Sequence, residues 1–93
     1  MAKIQPTSSP KTLNQCDQGD RVRVVALLDQ PLFGSQDQHI TLRLKELGFL
    51  PGAELSVIGF GFLGRDPLAV KVNGTKFALR SAEAAKIAIE PIQ

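Results

Sequence analysis

The 93-residue sequence predicts a small, mainly β protein, a strongly bent antiparallel barrel of about five short strands. One short α-helix is expected over an opening of that barrel, with a short helical turn before the last strand. Three observations carry this. Apolar and polar residues alternate through 21–28 and 54–60, as half-buried strands require. Asn73-Gly74 sits between two alternating runs, the preferred pair for a two-residue hairpin turn. A single helix-like stretch, 42–47, ends at a glycine.

Along the chain, residues 1–11 are polar, carry Pro6 and Pro10 around Thr7-Ser8-Ser9 and show no periodicity, so they read as a mobile tail before one domain over 12–93. Leu13 and Cys16 are three apart and can tuck a short turn against the core before Gly19-Asp20 redirects the chain. Residues 21–28 read RVRVVALL, with Val22, Val24, Ala26 and Leu28 on one face of a strand and Arg21 and Arg23 on the other. Residues 30–38, with Pro31 and Gly34, read as a loop. Thr41 is the expected cap of the helix over 42–47. Gly48 can end it in the left-handed conformation, with Phe49 packing back on Leu44. Ile40, Leu44 and Leu47 share one stripe, and Leu42 points the other way. Leu50-Pro51-Gly52 suits a type II turn.

The hairpin over 68–80 predicts its own register. Val72 faces Thr75, Val70 faces Phe77 and Leu68 faces Leu79 on one side, while Ala69/Ala78 and Lys71/Lys76 face each other on the opposite side. Phe77→Ala is accordingly expected to cost about 3–5 kcal/mol. Ser81 is the expected cap of a short helical turn through Ala82-Glu83-Ala84-Ala85, and a last strand over 87–90 ends at Pro91.

Composition narrows function. With 43% hydrophobic and 22% charged residues, wholesale disorder and collagen-like repeats are excluded. No run reaches the roughly 20 apolar residues that span a bilayer. The opening MAKIQPTSSP lacks the apolar core of a secretory signal, and a lone cysteine closes no internal disulfide, so a cytoplasmic protein is expected. Eleven Lys and Arg against nine Asp and Glu leave +2, too small an excess for a dedicated nucleic-acid binder. Trp and Tyr are absent, so stacking platforms for bases are scarce. One His and one Cys also leave little for acid–base or nucleophilic chemistry, and neither enzymatic activity nor a cofactor is expected.

Gly59-x-Gly61-x-x-Gly64 matches the dinucleotide-binding pattern, yet Arg65-Asp66-Pro67 and a strand follow it where that site needs a helix N-terminus. A glycine-rich connection between twisted strands is the better reading. It brings Phe60, Phe62 and Leu63 together, more apolar residues than strand alternation can bury, and Leu42 can extend the patch. Arg65, Lys71 and Lys76 would steer an acidic partner to such a surface. Arg80 adds to the Lys71/Lys76 basic patch. Cys16 reads as a small buried hydrophobe, or alternatively as a metal ligand with Asp37 and His39, although no second thiol or imidazole lies within ligand spacing.

Leu44-x-Glu46-Leu47-Gly48-Phe49-x-Pro51-Gly52, then Leu63-Gly64-x-Asp66-Pro67, Leu79-Arg80-x-x-Glu83-Ala84 and Ile89-Glu90-Pro91 resemble the ferrous iron transport protein A (FeoA) family in order and spacing. The resemblance spans roughly 13–92 and implies an SH3-like barrel. It further implies a non-enzymatic cytosolic protein of bacterial Fe(II) uptake. Its partner would be a FeoB-type membrane transporter carrying a cytosolic GTP-binding domain, contacted without nucleic acid or membrane insertion; self-association is left open. The family's loop usually reads Pro-Leu-Gly-Asp-Pro, often after basic residues. Here Phe62 replaces the first Pro, Arg65 is inserted, and Phe60-Gly61 stand where charge is common, which makes this surface more apolar. Two rivals follow from the residues: a small Fe- or Zn-binding protein using Cys16 and His39, and a nucleic-acid-binding small barrel. Arg65, on a flexible loop, also fits a GTPase-activating arginine.

Overall fold

Asn73 and Gly74 both take positive φ, 52° and 80°, and the two-residue turn they form sets the register of a hairpin. In the computed structural model, which describes residues 11–92 except the side chains of Phe62 and Leu63, that hairpin joins β4 (Asp66–Val72) to β5 (Thr75–Leu79). All the expected pairs form: Val72 with Thr75, Lys71 with Lys76, Val70 with Phe77, Ala69 with Ala78, Leu68 with Leu79. Leu68, Val70, Val72 and Leu79 are buried beneath it.

The remaining strands are β1 (Lys11–Thr12), β2 (Arg21–Leu27), β3 (Glu54–Leu63) and β6 (Ile87–Pro91). They complete one antiparallel sheet in the order β1-β6-β2-β3-β4-β5, one strand more than expected. Lys11, expected in the tail, pairs with Ile89; the rest of that tail, 1–10, lies outside the described residues. Ile89 in β6, the second strand, and Leu79 in β5, the last, belong to one apolar cluster, so the sheet bends around a single core. Leu13 and Cys16 reach this core from a 3₁₀ turn at Leu13–Gln15, as their spacing predicted.

β2 departs from its predicted alternation. Its pairing with β6 shifts between Val24 and Ala26, so a bulge at Val25 resets the phase. Val22 and Val24 stay buried, but Leu27 rather than Leu28 then packs on the core, and Val25 and Leu28 face solvent. The turn at 50–52 holds this irregularity: the Gly52 N–H donates to the Val24 carbonyl and the Val24 N–H to the Ala53 carbonyl, each at 2.8 Å. That turn is type II as read, closed by the Ala53 N–H on the Leu50 carbonyl at 2.9 Å with Gly52 at φ 92°.

The helix α1 runs Asp37–Leu47 and begins five residues before the predicted start, so Thr41 lies inside it and Gln36, not Thr41, precedes its first residue. A 3₁₀ segment at Pro31–Gln36, kinked at Gly34, leads into it. The helix end is as predicted. The Phe49 N–H donates to the Leu44 carbonyl and the Gly48 N–H to the Lys45 carbonyl, both at 3.0 Å, and Phe49 and Leu44 are fully buried. Gly48 has φ 108°, and a Cβ there would lie 2.7 Å from the Asn73 Nδ2. Gly48→Ala should therefore lower stability by about 1–2 kcal/mol or more in urea unfolding, since a left-handed residue with a Cβ costs about that much before any clash. A change under about 0.5 kcal/mol, within the range of neutral surface substitutions, would remove the argument.

The second helical turn, α2 (Ser81–Ala84), is also capped differently from expectation. Ser81 does not cap it; the Glu83 carboxylate accepts from the Arg80 N–H at 2.9 Å and the Asp66 carboxylate from the Ser81 N–H at 2.8 Å.

Candidate functional site

The glycine pattern at 59–64 serves the β3–β4 hairpin. The register of β3 against β4 shifts between Val57 and Gly59 and again between Phe60 and Leu63, so the strand carries two irregularities in one stretch. At Gly61 a Cβ would come within 2.5 Å of the Pro67 Cδ, so this glycine admits close contact between strands. Gly64, at φ 69°, starts the reversal into β4. These uses account for Gly61 and Gly64 without a phosphate, as the following strand required.

The tip of this hairpin folds against the start of the domain. Arg65 places its guanidinium 4.4 Å from the centre of the Phe60 ring, close enough for a cation–π contact. One of its nitrogens lies 3.4 Å from the Asp17 carboxylate, and another donates to the Cys16 carbonyl. Phe60 is half-buried and packs on the core, with Arg65 above it. Of the patch read from sequence, Phe60 and Arg65 are thus brought together as a stacked pair engaged within the molecule. The side chains of Phe62 and Leu63 lie outside the described residues. Leu42 is 55% exposed on the outward side of α1, a separate element. Lys71 and Lys76 are exposed and face each other across β4 and β5.

Other exposed large apolar side chains escaped the sequence reading: Val25, Leu28, Leu32 and Leu50. Leu32 and Leu50 lie beside prolines in turns, a signal of exposure legible in the sequence. Leu28 depends on the bulge, which alternation conceals, whereas Val25 keeps the outward side that alternation gives it.

The three weak metal candidates occupy different environments. Cys16 is buried, its sulfur 3.9 Å from the Thr12 carbonyl, and burial pushes its thiol above the ordinary value and away from the thiolate that metals bind. Asp37 is spoken for: its carboxylate is paired with the Lys86 ammonium and accepts from the Gln30 N–H at 3.2 Å. His39 is exposed on α1. Among the described residues, no three His, Cys, Asp or Glu side chains gather as a metal site would require.

Lys86 is the charged residue sequence reasoning missed. It is fully buried, bonded to Asp37 and to the Leu28 carbonyl at 3.0 Å, and so ties the 28–37 connection to the base of β6. Its setting in AAKIAIE, a lone cation in an apolar run, was the available clue. Elsewhere other cations are paired: Arg23 lies between Glu54 at 3.5 Å and Glu90 at 3.2 Å, and Arg43 reaches Glu83 at 3.4 Å. No helix among the described residues is long and apolar enough to cross a membrane.

Comparison with known proteins agrees with this architecture. The FeoA of Stenotrophomonas maltophilia, crystallised with zinc and described as a prokaryotic SH3 domain protein proposed as a ferrous iron transport activating factor, is 34% identical. The match covers 86% of this chain and 89% of that one, with a TM-score of 0.73. The FeoA protein of Chlorobium tepidum is 31% identical over 89% of this chain and 71% of that one, at TM-score 0.74. A manganese-dependent transcriptional repressor, 18% identical, shares the fold over 94% of this chain and 44% of its own, at TM-score 0.73. No curated protein sequence matches the chain. The FeoA domain model matches residues 11–91, all but a few residues at either end, and the bent sheet closed by α1 is the SH3-like arrangement of the solved FeoA proteins. The chain therefore belongs to the FeoA family.

Proposed function

We propose that this protein is a non-enzymatic cytosolic accessory of bacterial ferrous iron uptake that docks on a FeoB-type membrane transporter bearing a GTP-binding domain. The family match over residues 11–91 carries this reading, and the description of the S. maltophilia relative as a transport activating factor agrees with it. The local geometry adds support. Arg65 holds the β3–β4 tip onto the Cys16–Asp17 segment, so the residues beside it are presented from an ordered support, which lowers the entropy lost on binding. In this reading Phe62 and Leu63 supply apolar contact next to the Phe60–Arg65 pair, Leu42 extends it, and Lys71 and Lys76 steer approach.

Co-purification of the full chain with a FeoB-type transporter, with and without a GTP analogue, tests the proposal. Phe62→Asp with Leu63→Asp should leave the circular dichroism spectrum unchanged and reduce recovery of the transporter by about tenfold or more, as loss of a central apolar contact does. Undiminished recovery by that folded variant would exclude the surface; no recovery by the unaltered protein would exclude docking itself.

A further inference from the structure

The outer face of the sheet carries one basic row, Arg21, Lys71 and Lys76, whose two lysines the fold leaves without acids among the described residues. By register, Arg21 of β2 faces Ser56 of β3, Ser56 faces Lys71 of β4, and Lys71 faces Lys76 of β5. Neighbouring strands lie about 4.8 Å apart, so the row crosses four strands in about 15 Å. Arg21 is paired with Glu54 at 4.0 Å, an exposed contact, whereas Lys71 and Lys76 have no ion-pair partner among the described residues.

The Lys71/Lys76 juxtaposition is unfavourable in the free protein. In a two-residue hairpin the residues flanking the turn, Val72 and Thr75, form a hydrogen-bonded pair, so the next pair outward is of the non-hydrogen-bonded kind. Such pairs hold their Cα atoms about 4.5 Å apart, the closer of the two antiparallel spacings, and like charges there repel. The same alternation turns the backbone N–H and C=O groups of Lys76 and Ala78 away from β4. β5 ends the sheet, and no described loop or side chain hydrogen-bonds to residues 75–79. An open edge and an unpaired lysine couple therefore meet at Lys76.

We propose that this edge receives an extended acidic protein segment, which adds as a further antiparallel strand to β5 and places an Asp or Glu opposite Lys76. Lys76 and Ala78 would each exchange backbone hydrogen bonds with the incoming strand, and its carboxylate would extend the Arg21–Ser56–Lys71–Lys76 row on the same face. Charge selects the occupant. A second copy of this chain would set Lys76 near its own counterpart, which is how edge lysines prevent self-pairing. An anionic membrane is too broad, because the adjacent outer row is Glu90–Arg23–Glu54 and would meet the same plane with two carboxylates. On the other side lie only Gly59, Ala69 and Ala78, room for the side chains of a narrow segment. The inference deepens the docking reading and rests on it only in taking the partner to be a protein.

The test titrates the purified chain with a fluorescein-labelled heptapeptide of alternating Glu and Thr, followed by anisotropy and by ¹⁵N amide shifts. Saturable binding is expected, with shifts concentrated on 75–79 and on β4, and with the Lys76 and Ala78 amides becoming slower to exchange. Lys71→Gln with Lys76→Gln, both surface changes, should keep the fold and weaken binding about tenfold, and 0.5 M salt should weaken it similarly. A peptide with Lys for Glu should not bind. Absence of binding at millimolar peptide, equal binding by the double variant, shifts elsewhere on the molecule, or preferential capture by phosphatidylserine vesicles would each overturn the proposal. Peptide binding at β5 together with failure of the transporter co-purification would remove the docking reading while leaving this edge site standing.

Discussion

Lys86→Met should lower the stability of the domain by about 3–5 kcal/mol, the cost of breaking a buried ion pair by removing one partner. The loss is comparable to the roughly 5–15 kcal/mol that holds a domain folded at all. The cause is specific. Lys86 has no solvent exposure and the Asp37 side chain only 15%, so the substitution strands a carboxylate that water cannot reach well, and it frees the Leu28 carbonyl as well. Removing both charges is a different matter, because an apolar pair of similar volume often replaces a buried ion pair at little cost. Asp37→Leu combined with Lys86→Met should therefore recover much of the stability lost by Lys86→Met alone, in urea unfolding at equilibrium. Amide exchange should speed up in 28–40 for the single variant, because Lys86 is what fastens that connection. A single-variant loss under about 1 kcal/mol, the size expected of an exposed pair, would show that the contact is solvated in solution.

Phe49→Ala should cost about 3–5 kcal/mol, the range for a buried aromatic whose site cannot collapse. Phe49 is fully buried in the main cluster and touches Phe77 ring to ring, with centroids 5.8 Å apart at 57°. The same magnitude was expected for Phe77 from the sequence, but Phe77 is only half-buried on the edge strand and should lose less. The order of the two variants is the decisive quantity: Phe77→Ala equalling or exceeding Phe49→Ala would contradict the burial seen here. Backbone closure at the end of α1 should survive Phe49→Ala, because the bonds from Gly48 and position 49 to the helix carbonyls do not involve the side chain.

The candidate surface was partly legible in advance. That Phe60 and Arg65 would meet follows from their closeness in sequence. That Arg65 would reach back to Cys16 and Asp17 does not, because 49 and 48 residues separate the partners. Lys71 and Lys76 were placed correctly, since a two-residue turn dictates which residues face each other. The edge that makes them available was not, since a hairpin sequence does not say which of its strands will gain another neighbour.

The line between the two kinds of knowledge follows the range of the interactions. Sequence alone determined the Asn73-Gly74 register, the left-handed helix end at Gly48 and the type II turn at 50–52, because each rests on backbone preferences of residues only a few positions apart. Tertiary structure alone decided where α1 begins, which side of β2 faces inward past Val24, and that Lys86 is buried. Those outcomes depend on partners brought together from distant parts of the chain: Lys86 for Asp37, and β6 for the bulge at Val25. The free energy of such contacts appears only after chain closure, and no local pattern encodes it.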